Sequence, residues 1–120
     1  MSELILIIED QEDNRRIMRD LLTSAGYKVI EADTAEAGVM SAETHCPDVI
    51  LMDIQLPDFD GYEATRRIKA NPALSSTPVI AVTSYALSGD EAKAYEAGCD
   101  THVSKPFSPR KLLAKIRKYL

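Results

Sequence analysis

Five short apolar runs, each followed by a segment of helical spacing, leave this chain few ways to fold. The runs lie at Leu4–Ile8, 28–31, 48–52, 79–82 and 101–103, and they are rich in β-branched residues. Between them, apolar side chains recur three and four positions apart. The first helical segment, 14–25, places Ile17, Met18, Leu21, Leu22 and Ala25 on one stripe. It ends at Gly26, since glycine takes a positive φ without strain. The second, Ala35–His45, has Asp33 or Thr34 as its N-cap and Pro47 just past its end. The third, Gly61–Ala70, is stopped by Asn71-Pro72. The fourth opens at Ser88 with Glu91 three residues on, a capping-box pattern, and closes at Gly98. The fifth begins Ser108-Pro109, with proline at the first helical position, and its stripe is Leu112, Leu113, Ile116 and Leu120.

Strand and helix thus alternate five times. Short strands separated by helices imply a parallel sheet covered on both faces, and the apolar runs at 4–8 and 49–52 suit strands buried on both sides. Right-handed crossovers then give an α/β doubly wound three-layer sandwich, a five-stranded parallel sheet with five helices. At 120 residues this is one domain, 1–120, with 71–78 as a surface loop. Hydrophobic residues at 45% supply an adequate core without staples. Nineteen acidic against fourteen basic residues give a formal charge of −5, so the chain lacks the basic stripe of a nucleic-acid binder. Two cysteines, Cys46 and Cys99, make neither a disulfide framework nor a zinc site, and both read as passive small residues. The longest apolar run is too short to span a bilayer, and Glu3 and Glu9 flank it where a signal peptide carries basic residues. The expectation is a cytoplasmic protein with no membrane partner.

Open α/β sheets bind ligands outside the carboxyl ends of their strands, so the residues that follow each run carry the chemistry. After the first come Glu9-Asp10. The third leads into Asp53, the fourth into Thr83-Ser84, and the fifth into Lys105-Pro106. Three carboxylates, hydroxyls and one ammonium therefore converge on one sheet edge. Two carboxylates ~4 Å apart repel by about 4 kcal/mol at an effective dielectric of 20. A hard divalent cation relieves this, and Mg²⁺ takes one or two carboxylates, keeps waters and pairs with phosphoryl oxygens. Lys105 adds a fixed positive charge and Thr83 a hydroxyl donor. The set makes a cradle for a phosphoryl group, with Asp53 as the nucleophile that accepts it.

The acidic pair Glu9-Asp10, the run Asp48-Val-Ile-Leu-Met-Asp53, Leu56-Pro57, Asp60-Gly61, Thr83 and Lys105-Pro106-Phe107, in this order, resemble the receiver domain of two-component response regulators over essentially the whole chain. Within that family the chain is similar to single-domain regulators of chemotaxis and of the bacterial cell cycle. The resemblance implies a flavodoxin-like sheet of strand order 2-1-3-4-5. It implies Asp53 as phosphoacceptor, and Mg²⁺ held directly by Asp10 and Asp53, by Glu9 through water, and by the backbone carbonyl of Gln55. Thr83 and Lys105 would bind the phosphoryl oxygens, and the Lys105-Pro106 bond would be cis. Donors would be a sensor histidine kinase or a histidine phosphotransfer protein docking near the first helix. Output would be binding of a downstream protein target, or of a twin copy, on the face of the fourth helix, fifth strand and fifth helix. The family usually places Tyr or Phe three residues before the lysine as a switch coupled to the threonine. Here that residue is His102.

Blander readings apply to the remaining polar residues. Asp58 and Asp60 read as turn formers beside Pro57 and Gly61. Arg15-Arg16 and Arg66-Arg67 read as exposed helix faces, the first pair near the site entrance. His45 reads as solvated. The basic fifth helix, with Arg110, Lys111, Lys115, Arg117 and Lys118, reads as a solvated face, with an acidic partner or twin subunit as the second reading. A phosphatase or phosphotransferase working through an aspartyl phosphate is disfavoured, because Gln55 stands where such enzymes keep a second acid. The expected class is therefore a signalling phosphoacceptor, not a turnover enzyme. A degenerate receiver serving only as a binding module, and a receiver excised from a larger hybrid kinase or regulator, are the alternatives. With no output domain following Leu120, the expected signal is protein binding or competition for phosphoryl groups.

Overall fold

Alternation of side chains along five parallel strands divides the core into two layers. The computed structural model describes residues 3–83, 95–105 and 108–120. Its strands are β1 (Leu4–Ile8), β2 (Lys28–Ala32), β3 (Val49–Asp53), β4 (Val79–Thr83) and β5 (Thr101–Ser104). They pair in parallel in the order β2-β1-β3-β4-β5. The described helices are α1 (Glu12–Ser24), α2 (Ala35–His45), α3 (Gly61–Ala70) and the C-terminal α4 (Pro109–Tyr119). Most of the helix expected over 88–98 lies outside the described residues, while 95–97 are helical.

On one face Ile5, Ile7, Val49, Leu51, Ile80, Val82 and Val103 pack against Met18 and Leu22 of α1 and Leu112 and Ile116 of α4. On the other, Leu6, Ile8, Ile50, Met52, Val79 and Ala81 pack against Ala35 and Ala42 of α2 and Ala64 and Ile68 of α3. Every residue of β3 and β4 is buried, as expected of strands covered on both sides. Among the described residues no helix is long and apolar enough to cross a membrane.

The element ends follow their caps. Thr34, not Asp33, caps α2 by accepting from the Ala37 N–H at 3.0 Å. Ser108 caps α4, with Pro109 in its first turn. Gly26 takes φ +94° after α1, while the N–H groups of Ala25, Gly26 and Tyr27 return to carbonyls of the last turn. α1 starts at Glu12, two residues before the expected 14, with Glu12 and Asp13 complementing the helix dipole. β3 starts at Val49 and not at Asp48, whose N–H donates to the Leu4 carbonyl and whose carboxylate accepts from the Leu4 N–H, each at 2.7 Å.

Three expectations need correction. Ile17 and Leu120 are 54% and 44% exposed, so neither belongs to its helix's buried stripe. The loop at 71–78 is not wholly superficial: Leu74 is fully buried, and Lys69 Nζ donates to the Thr77 carbonyl at 2.6 Å. Lys115 is not a solvated member of the basic helix. Its ammonium donates to the His102 carbonyl at 2.7 Å and to Thr101 Oγ1 at 3.3 Å, pinning α4 to the edge strand β5. Arg110, Lys111, Arg117 and Lys118 are exposed as expected.

Candidate functional site

The same alternation that builds the core aims the charged residues. On the α1/α4 face, Ile5 and Ile7 are succeeded by Glu9, Val49 and Leu51 by Asp53, and Val103 by Lys105. Ile8 pairs with Met52, so Glu9 and Asp53 occupy the next step on adjacent strands. Glu9 is fully buried and Asp53 is 3% exposed. Glu9, Asp10 and Asp53 each bring one carboxylate oxygen within 4.8 Å of the others. Lys105 Nζ stands 2.9 Å from Glu9 Oε1 and 3.5 Å from Asp53 Oδ2. The free edges of both buried acids are held by backbone: the Gln11 N–H donates to Glu9 Oε2 and the Gln55 N–H to Asp53 Oδ1, each at 3.1 Å.

Local sequence makes this edge. The Gly61 N–H donates to the Ile54 carbonyl at 2.9 Å, bringing the start of α3 onto the end of β3. A Cβ at Gly61 would collide with the Asp53 carbonyl oxygen and stand 2.8 Å from Ile54 Cα, so only glycine fits. Asp60 caps α3 through the Glu63 N–H at 2.9 Å. Asp58 is more than a turn former: its two oxygens accept from the Ala35 and Glu36 N–H groups, both at 2.9 Å, fastening the loop after β3 to the N-terminus of α2.

The charge balance is negative. Burial pushes the Glu9 carboxyl up, and neighbouring Asp53 pushes it further; the Lys105 contact offsets this only in part. Burial works against the Lys105 ammonium as well, but the hydrogen bond to Glu9 and the field of Asp53 outweigh it and hold its pKa above the ordinary lysine value. Asp10, Gln11, Asn14, Asp53, Gln55 and Lys105 line a cavity of about 380 Å³ beside the cluster. Three carboxylates against one ammonium, all hard oxygen donors, two of them buried, fit a divalent cation such as Mg²⁺.

Thr83 ends β4, buried, and its carbonyl accepts from the Lys105 N–H at 2.7 Å, tying the exit of β5 to that of β4. His102 lies on β5 opposite Ala81, its ring edge-on to Tyr95 with centroids 6.3 Å apart. Strand alternation puts it on the opposite face from Val103. Pro106, and with it the expected cis bond, lies outside the described residues. Cys46 is exposed and Cys99 buried, both as free thiols, and burial pushes the Cys99 thiol up. His45 is exposed, as expected, and so is Arg16. Arg66 and Arg67 are exposed too, with the Arg67 guanidinium 4.2 Å from the centre of the Phe59 ring. Arg15, expected on an exposed face, is not: its guanidinium is folded back onto the loop after β1. Gln11 and Asn14 were not singled out by sequence, although their i, i+3 spacing just after the acidic pair sets both above the cleft.

Residues 5–117 match the family model described as the response regulator receiver domain. The chain belongs to that family. This receiver domain is 40% identical over 120 residues to the polar-differentiation response regulator DivK of Brucella ovis, covering all of this chain and 98% of that one. It is 36% identical to the receiver domain of the sensor histidine kinase PA1611 from Pseudomonas aeruginosa. That structure has a magnesium ion coordinated in its active-site cleft, and the two superpose with a TM-score of 0.93 over 99% of this chain and 98% of the other. The chemotaxis protein CheY4 of Vibrio cholerae, at 23% identity and full coverage of both chains, superposes with a TM-score of 0.95 and shares the fold. The strand order read from the resemblance is the order observed. The receiver domain is thus a signalling module of two-component systems with an acidic cluster suited to Mg²⁺.

Proposed function

We propose that this receiver domain is a switch set by phosphorylation of Asp53 in a Mg²⁺-dependent reaction. The observation that carries the reading is the convergence of Glu9, Asp10 and Asp53 with the Lys105 ammonium 2.9 Å from Glu9 and 3.5 Å from Asp53. A carboxylate oxygen of Asp53 attacks the phosphorus of a phosphohistidine on a sensor kinase or phosphotransfer protein. The new O–P bond forms as the N–P bond breaks, and the released imidazole takes up a proton. Glu9, Asp10, Asp53 and the Gln55 carbonyl would hold the metal. Bound Mg²⁺ supplies positive charge that neutralises the carboxylates and the phosphoryl oxygens. Lys105 pairs with a phosphoryl oxygen and the Thr83 hydroxyl donates to another.

The added dianion draws Thr83 toward the acceptor and biases the face carried by the residues after β4, by β5 and by α4, where a downstream protein or a second copy binds. His102 takes the position of the family's aromatic switch. His102→Phe is expected to change partner affinity of the phosphorylated form more than the phosphorylation rate; equal affinities would remove His102 from the switch. The relatives cover both settings of such a domain, an independent regulator and part of a sensor kinase. The test is incubation with a small phosphodonor and Mg²⁺. A mass gain of one phosphoryl group, lost in Asp53→Asn, supports the switch. No labelling would leave a passive binding module, and turnover of a phosphorylated metabolite would make the chain an enzyme.

A further inference from the structure

We infer that Arg15 is a positioning residue for the metal ligands, acting through the peptide groups that carry them. The inference rests on the reading of Glu9, Asp10 and Asp53 as a Mg²⁺ site. The Arg15 guanidinium holds two consecutive carbonyls, and the helix backbone at the same residue takes the next. Its Nη1 donates to the oxygens of Glu9 at 3.1 Å and Asp10 at 3.4 Å, and its own backbone N–H donates to that of Gln11 at 2.9 Å. A trans peptide points its N–H opposite its carbonyl. With the Asp10 carbonyl turned to the guanidinium, the Gln11 N–H faces the other way, and there it meets Glu9 Oε2 at 3.1 Å. The clamp on the outside of the loop therefore fixes a hydrogen bond to the buried carboxylate on the inside.

The clamp has its own anchor. Arg15 Nε lies 3.3 Å from Glu31 Oε1 near the end of β2, and the neighbouring Ala32 carbonyl accepts from the Glu9 N–H at 3.0 Å. The Arg15 and Glu31 side chains are 19% and 27% exposed. Glu31 also takes Arg19 Nη1 at 3.1 Å, but among the hydrogen bonds of the described residues Arg19 reaches no loop carbonyl. A planar guanidinium can serve two carbonyls and a carboxylate at once, in a fixed fork; a lysine ammonium at the same place cannot.

The test is Mg²⁺ affinity of the intact chain, read from backbone amide shifts of Gln11 and Gln55 and from Mg²⁺-dependent melting, in wild type, Arg15→Lys, Arg15→Ala, Glu31→Gln and Arg19→Ala. Loss of an outer partner of a metal site commonly costs at least tenfold in affinity, so both Arg15 variants are expected to bind Mg²⁺ about tenfold more weakly. Glu31→Gln should move in the same direction by less, and Arg19→Ala should leave affinity unchanged. Phosphodonor labelling of Arg15→Lys should recover at saturating Mg²⁺. Arg15 variants that melt earlier yet bind Mg²⁺ as tightly as wild type would make the clamp purely structural and overturn the inference. A loss in Arg19→Ala equal to that in Arg15→Lys would overturn it too. Wild type without saturable Mg²⁺ binding would remove the metal-site reading itself, a result distinct from either.

Discussion

Lys105 Nζ lies 2.9 Å from Glu9 Oε1, joining positions 96 residues apart, and the carboxylate it meets is fully buried. It also stands 3.5 Å from Asp53 Oδ2, so one ammonium serves two buried acids. Removing it leaves both without their cation, and breaking a buried ion pair in this way costs about 3 kcal/mol. Lys105→Met is expected to lose stability of that order in EDTA. Mg²⁺ should then stabilise the variant more than it stabilises wild type, since the metal would supply the missing charge. Urea unfolding with and without Mg²⁺ measures both. A variant as stable as wild type in EDTA would mean that Lys105 does not neutralise the pair.

Glu9→Gln should act in the opposite direction. The Glu9 pKa is raised in the folded state, so its contribution to stability is present below the ordinary value of 4.5 and is lost as pH rises through the folded value. Glutamine carries no such penalty. Its one oxygen stays with Lys105 and its amide turns to Asp53, at the cost of the Gln11 N–H bond to Oε2, so the expected gain is the relieved charge less that one bond. Metal-free Glu9→Gln is therefore expected to melt a few degrees above wild type at neutral pH, with the difference shrinking toward acid. It should also lose most of the Mg²⁺-dependent stabilisation. Thermal melts across the acid range in EDTA decide this, and a gap that widens toward low pH would reverse the sign assigned to Glu9.

Gly61→Ala tests the close approach that seats Asp53. An added methyl meets the Asp53 carbonyl oxygen and the Ile54 backbone, which cannot yield as a flexible side chain would. Overpacking of this kind costs about 1–3 kcal/mol. The expected outcome is a lower urea midpoint together with slower labelling of Asp53. Unchanged labelling with lowered stability would mean that the collision is relieved by movement of α3 alone.

The edge cluster was legible because it continues a rule already needed for the core. Strands with apolar residues at 5 and 7, at 49 and 51, and at 103 require positions 9, 53 and 105 to follow on the same face. The bounds of α2 were legible from a capping residue before it and a breaker after it, and those of α3 from its breaker, although Asp60, read as a turn former, proves to be its cap. Arg15, Asp58 and Lys115 were not. Each is a charged residue whose partner is a backbone group of another element: the carbonyls at 9 and 10, the N–H groups at 35 and 36, and the carbonyl at 102. Backbone acceptors and donors are the same at every position, so nothing in the residue pattern marks which a long side chain will reach. Ile17 was misplaced because a contact stripe on α1 is narrower than the run of apolar residues that outlines it: Met18 and Leu22 fill the groove, and Ile17 turns outward.

Asp58 sets an acid-side limit on the loop that follows β3. Its slight withdrawal from water pushes the carboxyl up, but the N–H groups of Glu36 and Ala35 outweigh that and hold it below the ordinary carboxylate value of 3.8. A depressed folded pKa gives stability that is present above the unfolded pKa and is lost as pH falls through the folded one. Wild type should therefore lose the tie between this loop and α2 only as pH falls below the ordinary carboxylate value of 3.8. Asp58→Asn keeps the shape but has one oxygen and no charge for two N–H donors at a helix N-terminus. It is expected to melt a few degrees lower than wild type at neutral pH, and the two curves should converge as acid protonates the wild-type carboxyl. Amide exchange at Ala35 and Glu36 should quicken in the variant at neutral pH. Melting curves that stay parallel down to the acid limit would show that the Asp58 charge contributes nothing to the tie.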